Sequence, residues 1–239
     1  MENLLKNKIL EVYKKHGEIK TTCCRQCTCC RVACPQMKYS EALTIVDHIW
    51  KNYDDVARKK ILTKSVKYFF SKSLIKPCLF LNGNECEIYE IRPLNCRLYG
   101  LWSKKSWDER VVKMASYLKL PIEKIPLNTQ CKFVRPKSGL KLEEKQIADL
   151  FESLDSIDKA ILSSGSGQYV SQKANEMINK NWNYRTIHDW ILFFFWGEEK
   201  LYQMTEVAMI ATDDQLEDIL SSFVDMVNSK DFSTKEALV

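Results

Sequence analysis

The chain has 239 residues, 45% hydrophobic and 28% charged, with a formal net charge of +5. That length buries a core unaided, which excludes a mini-protein whose whole fold hangs on disulfides or metal. The charge is uneven: residues 1–140 carry 27 Lys and Arg against 13 Asp and Glu, whereas residues 141–239 carry 9 against 18. Either the basic part meets nucleic acid or another acidic partner, or thiolates missing from the formal count bring it nearer neutrality. An acidic carboxy-terminal half packed on the basic half fits both.

Residues 1–16 read as a short amphipathic helix carrying Leu4, Leu5, Ile9 and Val12 and ending near Gly17. No apolar stretch with a small-residue cleavage site is present, so no secretory signal is read. The most apolar run, Ile191 to Trp196, is far short of the ~20 residues of a membrane span. A cytoplasmic, reducing location is therefore expected, where clustered cysteines are metal ligands rather than disulfides. The first cysteine burst, TCCRQCTCCRVAC, follows as irregular backbone. Ser40 is the expected N-cap of a helix reaching Trp50, and Asp54 to Phe70 is the next, lysine-rich helix. Residues 77–100 read as loops, with Asn82-Gly83 turning between extended runs Cys78–Leu81 and Cys86–Tyr89. Ser106 to Glu109 has the pattern of a capping box, predicting a helix over 107–119. Pro121 to Gly139 is a connector, Leu142 to Leu162 a strongly periodic helix, and Ser163 to Gly167 a flexible loop. Helices are predicted over 168–180 and 184–196, and a capping box at Thr212 to Gln215 opens a last one reaching Asn228. The expected fold is mainly α: an irregular cysteine-rich metal-binding module with a short hairpin, wrapped by helices. Residues 1–140 would form that module and 141–239 a helical region packed on it.

Nine of the ten cysteines fall in two bursts: Cys23, Cys24, Cys27, Cys29, Cys30 and Cys34, then Cys78, Cys86 and Cys96; Cys131 stands alone. Packing does not cluster cysteines in this way, but metal ligation does, because several thiolates must converge on one centre. The count allows two four-thiolate centres with one or two thiols left over. Soft thiolates suit zinc and iron–sulfur clusters alike. Structural zinc typically uses two separated Cys-x2–4-Cys knuckles, and only Cys24-x2-Cys27 has that form here. His16, His48 and His188 all lie outside the cysteine phrases. All-thiolate ligation at irregular spacing points to iron–sulfur, with zinc as the alternative. Arg97, Arg25 and Arg31 stand beside thiols and are expected to offset the centre's negative charge. Pro93 fixes φ and starts a turn that returns Cys96 towards Cys86. Tyr89 reads as a packed ring rather than a catalytic acid.

The phrase Cys78-Leu79-Phe80-Leu81, then Cys86-Glu87-Ile88-Tyr89-Glu90-Ile91-Arg92-Pro93, then Cys96-Arg97, resembles the signature of the YkgJ-type cysteine cluster family. That family, a zinc- or iron-chelating domain, opens on Cys-x2-Cys-x2-Cys-Cys. The first burst, ending at Cys29-Cys30, is similar to that opening, and the resemblance spans about residues 20–135. One departure is visible. Aligned on Cys29-Cys30, the earlier cysteines would fall at positions 23 and 26, and residue 26 is glutamine. Either the spacing has slipped, or Cys24 and Cys27 take those places. The resemblance implies metal ligands Cys24, Cys27, Cys29, Cys30, Cys78, Cys86, Cys96 and Cys131, leaving Cys23 and Cys34 over. The expected cofactor is one or two iron–sulfur clusters of the 4Fe-4S type, with zinc as the alternative.

No glycine-rich phosphate loop and no Gly-x-Ser-x-Gly motif occurs. The aromatic run from Trp190 to Trp196 reads as helix core, and the basic stretch 58–76 as a solvated face rather than a nucleic-acid site. The first functional expectation is an iron–sulfur protein for electron transfer or a cluster-dependent reaction. The alternative is a methyltransferase resembling the flagellin lysine methylases, which carry a similar cluster and are implied to methylate protein lysines from S-adenosylmethionine; no motif for that cofactor is visible. A structural zinc module that binds a protein partner is the third expectation.

Overall fold

The computed structural model describes residues 2–15, 29–125, 141–163 and 184–230. Cys23, Cys24, Cys27 and Cys131 lie outside the described residues, as do residues 126–140 of the connector region, 164–167 of the predicted loop and the helix predicted over 168–180. In chain order the elements are α1 (Glu2–Lys15), α2 (Cys29–Val32), β1 (Gln36–Lys38), α3 (Tyr39–Asn52), α4 (Asp55–Phe70), β2 (Leu81–Asn82), β3 (Glu85–Cys86), α5 (Leu94–Leu98), α6 (Lys104–Leu118), α7 (Glu144–Ser163), β4 (Tyr184–Thr186), α8 (Ile187–Ile210) and α9 (Asp213–Ser229). The described residues are thus mainly helical, with two small antiparallel ribbons, β1–β4 and β2–β3. Among them no helix is long and apolar enough to cross a membrane. The chain forms two units of two segments each: Met1–Pro35 with Leu74–Ala160, and Gln36–Ser73 with Ile161–Val239.

The first unit is built on one apolar cluster. Ile9 and Val12 of α1 meet Leu94 and Leu98 of α5, Trp107 and Val111 of α6, and Leu150 and Leu154 of α7. The spacings within each helix are three or four residues, which is what puts each pair on one face. Helix α6 starts earlier than predicted. Its cap is Ser103, whose hydroxyl accepts the Ser106 amide at 3.2 Å. Ser106 is buried inside the helix, because starting there would leave Trp107, now 5% exposed, out of the core.

In the second unit, β1 and β4 pair with Gln36 opposite Thr186 and Lys38 opposite Tyr184. Helices α3 and α8 both leave from this ribbon. Residues 184–186 are therefore strand, not the start of the predicted helix. Ser40 is not a cap either: α3 begins one residue before it, and the Glu41 carboxylate reaches back to accept the Lys38 amide at 3.0 Å. The aromatic run is core. Trp190, Phe194 and Phe195 are at most 3% exposed, and the Trp190 indole donates to the Met37 carbonyl at 3.0 Å. Tyr39 meets both Trp190 and Phe194 at 5.6 Å between ring centres. Basic α4 packs antiparallel on acidic α9: Lys72 pairs with Asp213 at 2.5 Å, and Lys59 donates to the Asn228 carbonyl at 3.0 Å. The Lys72–Asp213 pair is exposed and stabilises little. Phe223 of α9, 5.5 Å from Phe70 of α4, holds the two helices by apolar contact. The capping box at Thr212 and Gln215 forms as predicted.

Helix α8 runs past the predicted end at Trp196. It breaks at Gly197 (φ 77°, ψ 175°) and then resumes to Ile210. Only glycine adopts that backbone without strain. Gly197→Ala should therefore lower unfolding stability by about 1–3 kcal/mol, read by denaturant titration. An unchanged midpoint would mean the helix can close over the break.

Candidate metal centre

The second burst is folded by its own backbone. The Leu81 amide donates to the Cys78 carbonyl at 3.2 Å, turning the chain into the β2–β3 hairpin. Leu81 pairs with Cys86 and Asn82 with Glu85, so the two turn residues are Gly83 and Asn84. Gly83 takes φ 59°, which suits a glycine at the first central position of a two-residue turn. The predicted turn lay one residue earlier, and the extended runs are shorter than predicted: Tyr89 belongs to a 3-10 turn, Tyr89–Ile91. Pro93 then caps α5, and the Cys96 amide donates to the Pro93 carbonyl at 2.9 Å. The cysteine thus sits in the first turn after the proline, as predicted.

The two bursts meet. The Cys78 amide donates to the Cys30 carbonyl at 2.7 Å, and the Lys76 amide to the Val32 carbonyl at 3.2 Å. These bonds lay segment 76–78 along α2. Arg31 also donates to the Asn84 side chain in the hairpin turn. The result is a convergence of thiols. Cys30, Cys78, Cys86 and Cys96 each lie within electrostatic reach of the other three. Cys34 acts on Cys78, and its thiol donates to the Pro77 carbonyl at 3.4 Å. None of these five is in a disulfide.

Electrostatics at the site have a consistent sense. Burial pushes the Cys78 and Cys96 thiols well up from the ordinary thiol value, and the neighbouring thiols push further the same way. Cys86 is raised by burial too. Backbone hydrogen bonds act in the opposite direction, from Phe80 at Cys78 and from Ile88 at Cys86. In both cases the partner lies two residues after the cysteine. A backbone amide aimed at a sulfur steadies a thiolate and is the kind of contact that tunes a metal–thiolate centre. Among the described residues no three His, Cys, Asp or Glu side chains stand as a formed metal site. The four thiols interact through charge.

Of the eight predicted ligands, Cys30, Cys78, Cys86 and Cys96 lie within electrostatic reach of one another. Cys29 is described only in its backbone, as the first residue of α2, and Cys24, Cys27 and Cys131 lie outside the described residues. Two residues near the thiols were missed in the sequence. Cys34 was left over by the ligand count. Arg92 is an arginine whose charge acts on Cys86 and Cys96. The Arg97 guanidinium donates to the Arg92 and Glu90 carbonyls.

Residues 22–117 match the family model CxxCxxCC, "Putative zinc- or iron-chelating domain". The matched segment includes both cysteine bursts; Cys131 lies beyond it. Comparison with curated proteins returns no match, and comparison with solved structures returns none.

Proposed function

We propose that the chain binds an iron–sulfur cluster, and that Cys30, Cys78, Cys86 and Cys96 are the four ligands of one centre. The observation that carries this reading is the mutual approach of these four thiols from three separate stretches of chain. The donor set fits the group. It is all thiol, it has backbone amides aimed at two of its sulfurs, and it has a guanidinium nearby to offset negative charge. Cys24, Cys27, Cys29 and Cys131 then remain for a second four-thiolate centre, which gives the module two clusters. Such a protein would pass electrons or support a cluster-dependent reaction, the methyl transfer of the flagellin lysine methylases being the alternative.

Anaerobic purification with iron, acid-labile sulfide and zinc counted per chain tests this. The expected result is iron and sulfide in equal amounts at four or eight of each per chain, the content of one or two 4Fe-4S clusters, on the order of four per cluster. Stoichiometric zinc without sulfide would replace the cluster by structural zinc on the same ligands.

A further inference from the structure

Helix α1 carries no cysteine and lies outside the matched residues 22–117, yet one of its side chains reaches the loop between two of the proposed ligands. That loop, residues 87–95, joins Cys86 to Cys96. Arg97, the residue after Cys96, closes it on itself: Nε donates to the Arg92 carbonyl at 2.9 Å and Nη2 to the Glu90 carbonyl at 2.7 Å. The same guanidinium lies over the Tyr13 ring, 4.4 Å from its centre. Tyr13 is half-buried and packs on the apolar cluster of the first unit. In that cluster Ile9 and Val12 of α1, and Leu94 and Leu98 of α5, are at most 4% exposed. The ring is thus anchored through α1 and the guanidinium through α5.

We propose that α1 is a brace for the metal-binding loop, with Tyr13 as a positioning residue whose ring holds the Arg97 fork against the Glu90 and Arg92 carbonyls, so that Cys86 and Cys96 are kept at a fixed separation. The proposal deepens the metal-centre reading above and rests on it. A planar guanidinium can lie flat on a ring and still donate from its edge to two carbonyls, and an ammonium cannot do both. Residues that hold metal ligands in place are worth about 10–100-fold in metal affinity. Here that support comes from an element that supplies no ligand.

The test loads the full chain with zinc alone, and separately with cobalt(II), whose absorption bands report ligand geometry. Tyr13→Phe keeps the ring and should match the parent. Tyr13→Leu keeps an apolar contact with the cluster but loses the flat face; it should weaken zinc about 10-fold in chelator competition and shift the cobalt bands. Arg97→Lys should do the same. The double variant, Tyr13→Leu with Arg97→Lys, should bind no more weakly than either single one, because both break one brace. A residue that only stabilises the core would lower the apo melting temperature and leave zinc affinity and cobalt bands unchanged. Parent-like values of both in Tyr13→Leu would therefore overturn the brace, as would losses that add in the double variant. Tyr13→Phe as weak as Tyr13→Leu would also overturn it, because the hydroxyl and not the ring face would then be what acts. If Tyr13→Leu does not fold, Tyr13→Met, which also lacks a flat face, is read by the same two measurements. A parent chain that takes up neither metal would overturn the metal centre itself, and the part of α1 in it.

Discussion

Replacing any one of Cys30, Cys78, Cys86 or Cys96 by serine should strip one centre's worth of metal from the purified chain, whereas Cys34→Ser should leave the metal content as in the parent. The contrast follows from geometry. Each of the four thiols lies within electrostatic reach of the other three, as the proposed single ligand set requires. Cys34 instead donates its S–H to the Pro77 carbonyl at 3.4 Å. Thiolate binding of a structural metal is worth about 10–16 kcal/mol in all, so losing one of four ligands weakens it by roughly two to three powers of ten. Serine keeps nearly the same volume, and the half-buried positions 30, 86 and 96 tolerate its hydroxyl better than buried Cys78. Circular dichroism of each apo variant separates lost metal from lost fold. Metal retained in Cys78→Ser and lost in Cys34→Ser would move the centre to a different ligand set.

What the sequence disclosed about this site was what is encoded over short distances. The hairpin, the turn after Pro93 and the placing of Cys86 and Cys96 on either side of it depend on residues within about ten positions, and they form much as read. Errors there are small: the turn shifts from Asn82-Gly83 to Gly83-Asn84 because strand pairing decides which two residues are left unpaired. The caps failed where two candidates competed. Ser103 and Ser106 are both good cap residues, and only the burial of Trp107 decides between them. Ser40 lost to a strand that pairs with residues 184–186, far away in sequence. Arg97 follows Cys96 directly, and its guanidinium donates back to the Arg92 and Glu90 carbonyls of the loop, a contact no local pattern announces. The uneven charge of the chain is met in part inside the second unit, where Lys59 and Lys72 of the α4 region meet the two ends of α9. No local pattern could have paired them.

Metal affinity should rise steeply with pH, by up to about 10⁴-fold per unit for a centre that displaces four protons. Burial lifts Cys78, Cys96 and Cys86 above the ordinary thiol value, and neighbouring thiols add to the lift at each. At neutral pH these three are therefore protonated in the apo protein. Each bond to metal requires a thiolate, so each expels a proton, and acid competes directly with metal. For the apo fold the sign is worked the same way. The folded thiols hold their protons more tightly than the unfolded ones, so their contribution to stability is complete below the unfolded thiol value and is lost as pH rises towards the folded one. Metal-free protein should thus be weakest in alkali, and metal-loaded protein weakest in acid. Zinc titrated into the apo chain near pH 7, in dilute buffer with an indicator dye, should release about four protons per ion bound. Chelator competition half a unit either side of that pH should show the affinity climbing by three to four powers of ten, on the order of the proton count. Release of fewer than about two protons per zinc, with a flat affinity, would mean that the thiols are already ionised before metal arrives. The amide hydrogen bonds from Phe80 and Ile88 and the charge of Arg92 would then outweigh burial, and the centre would be preformed for metal rather than assembled by it.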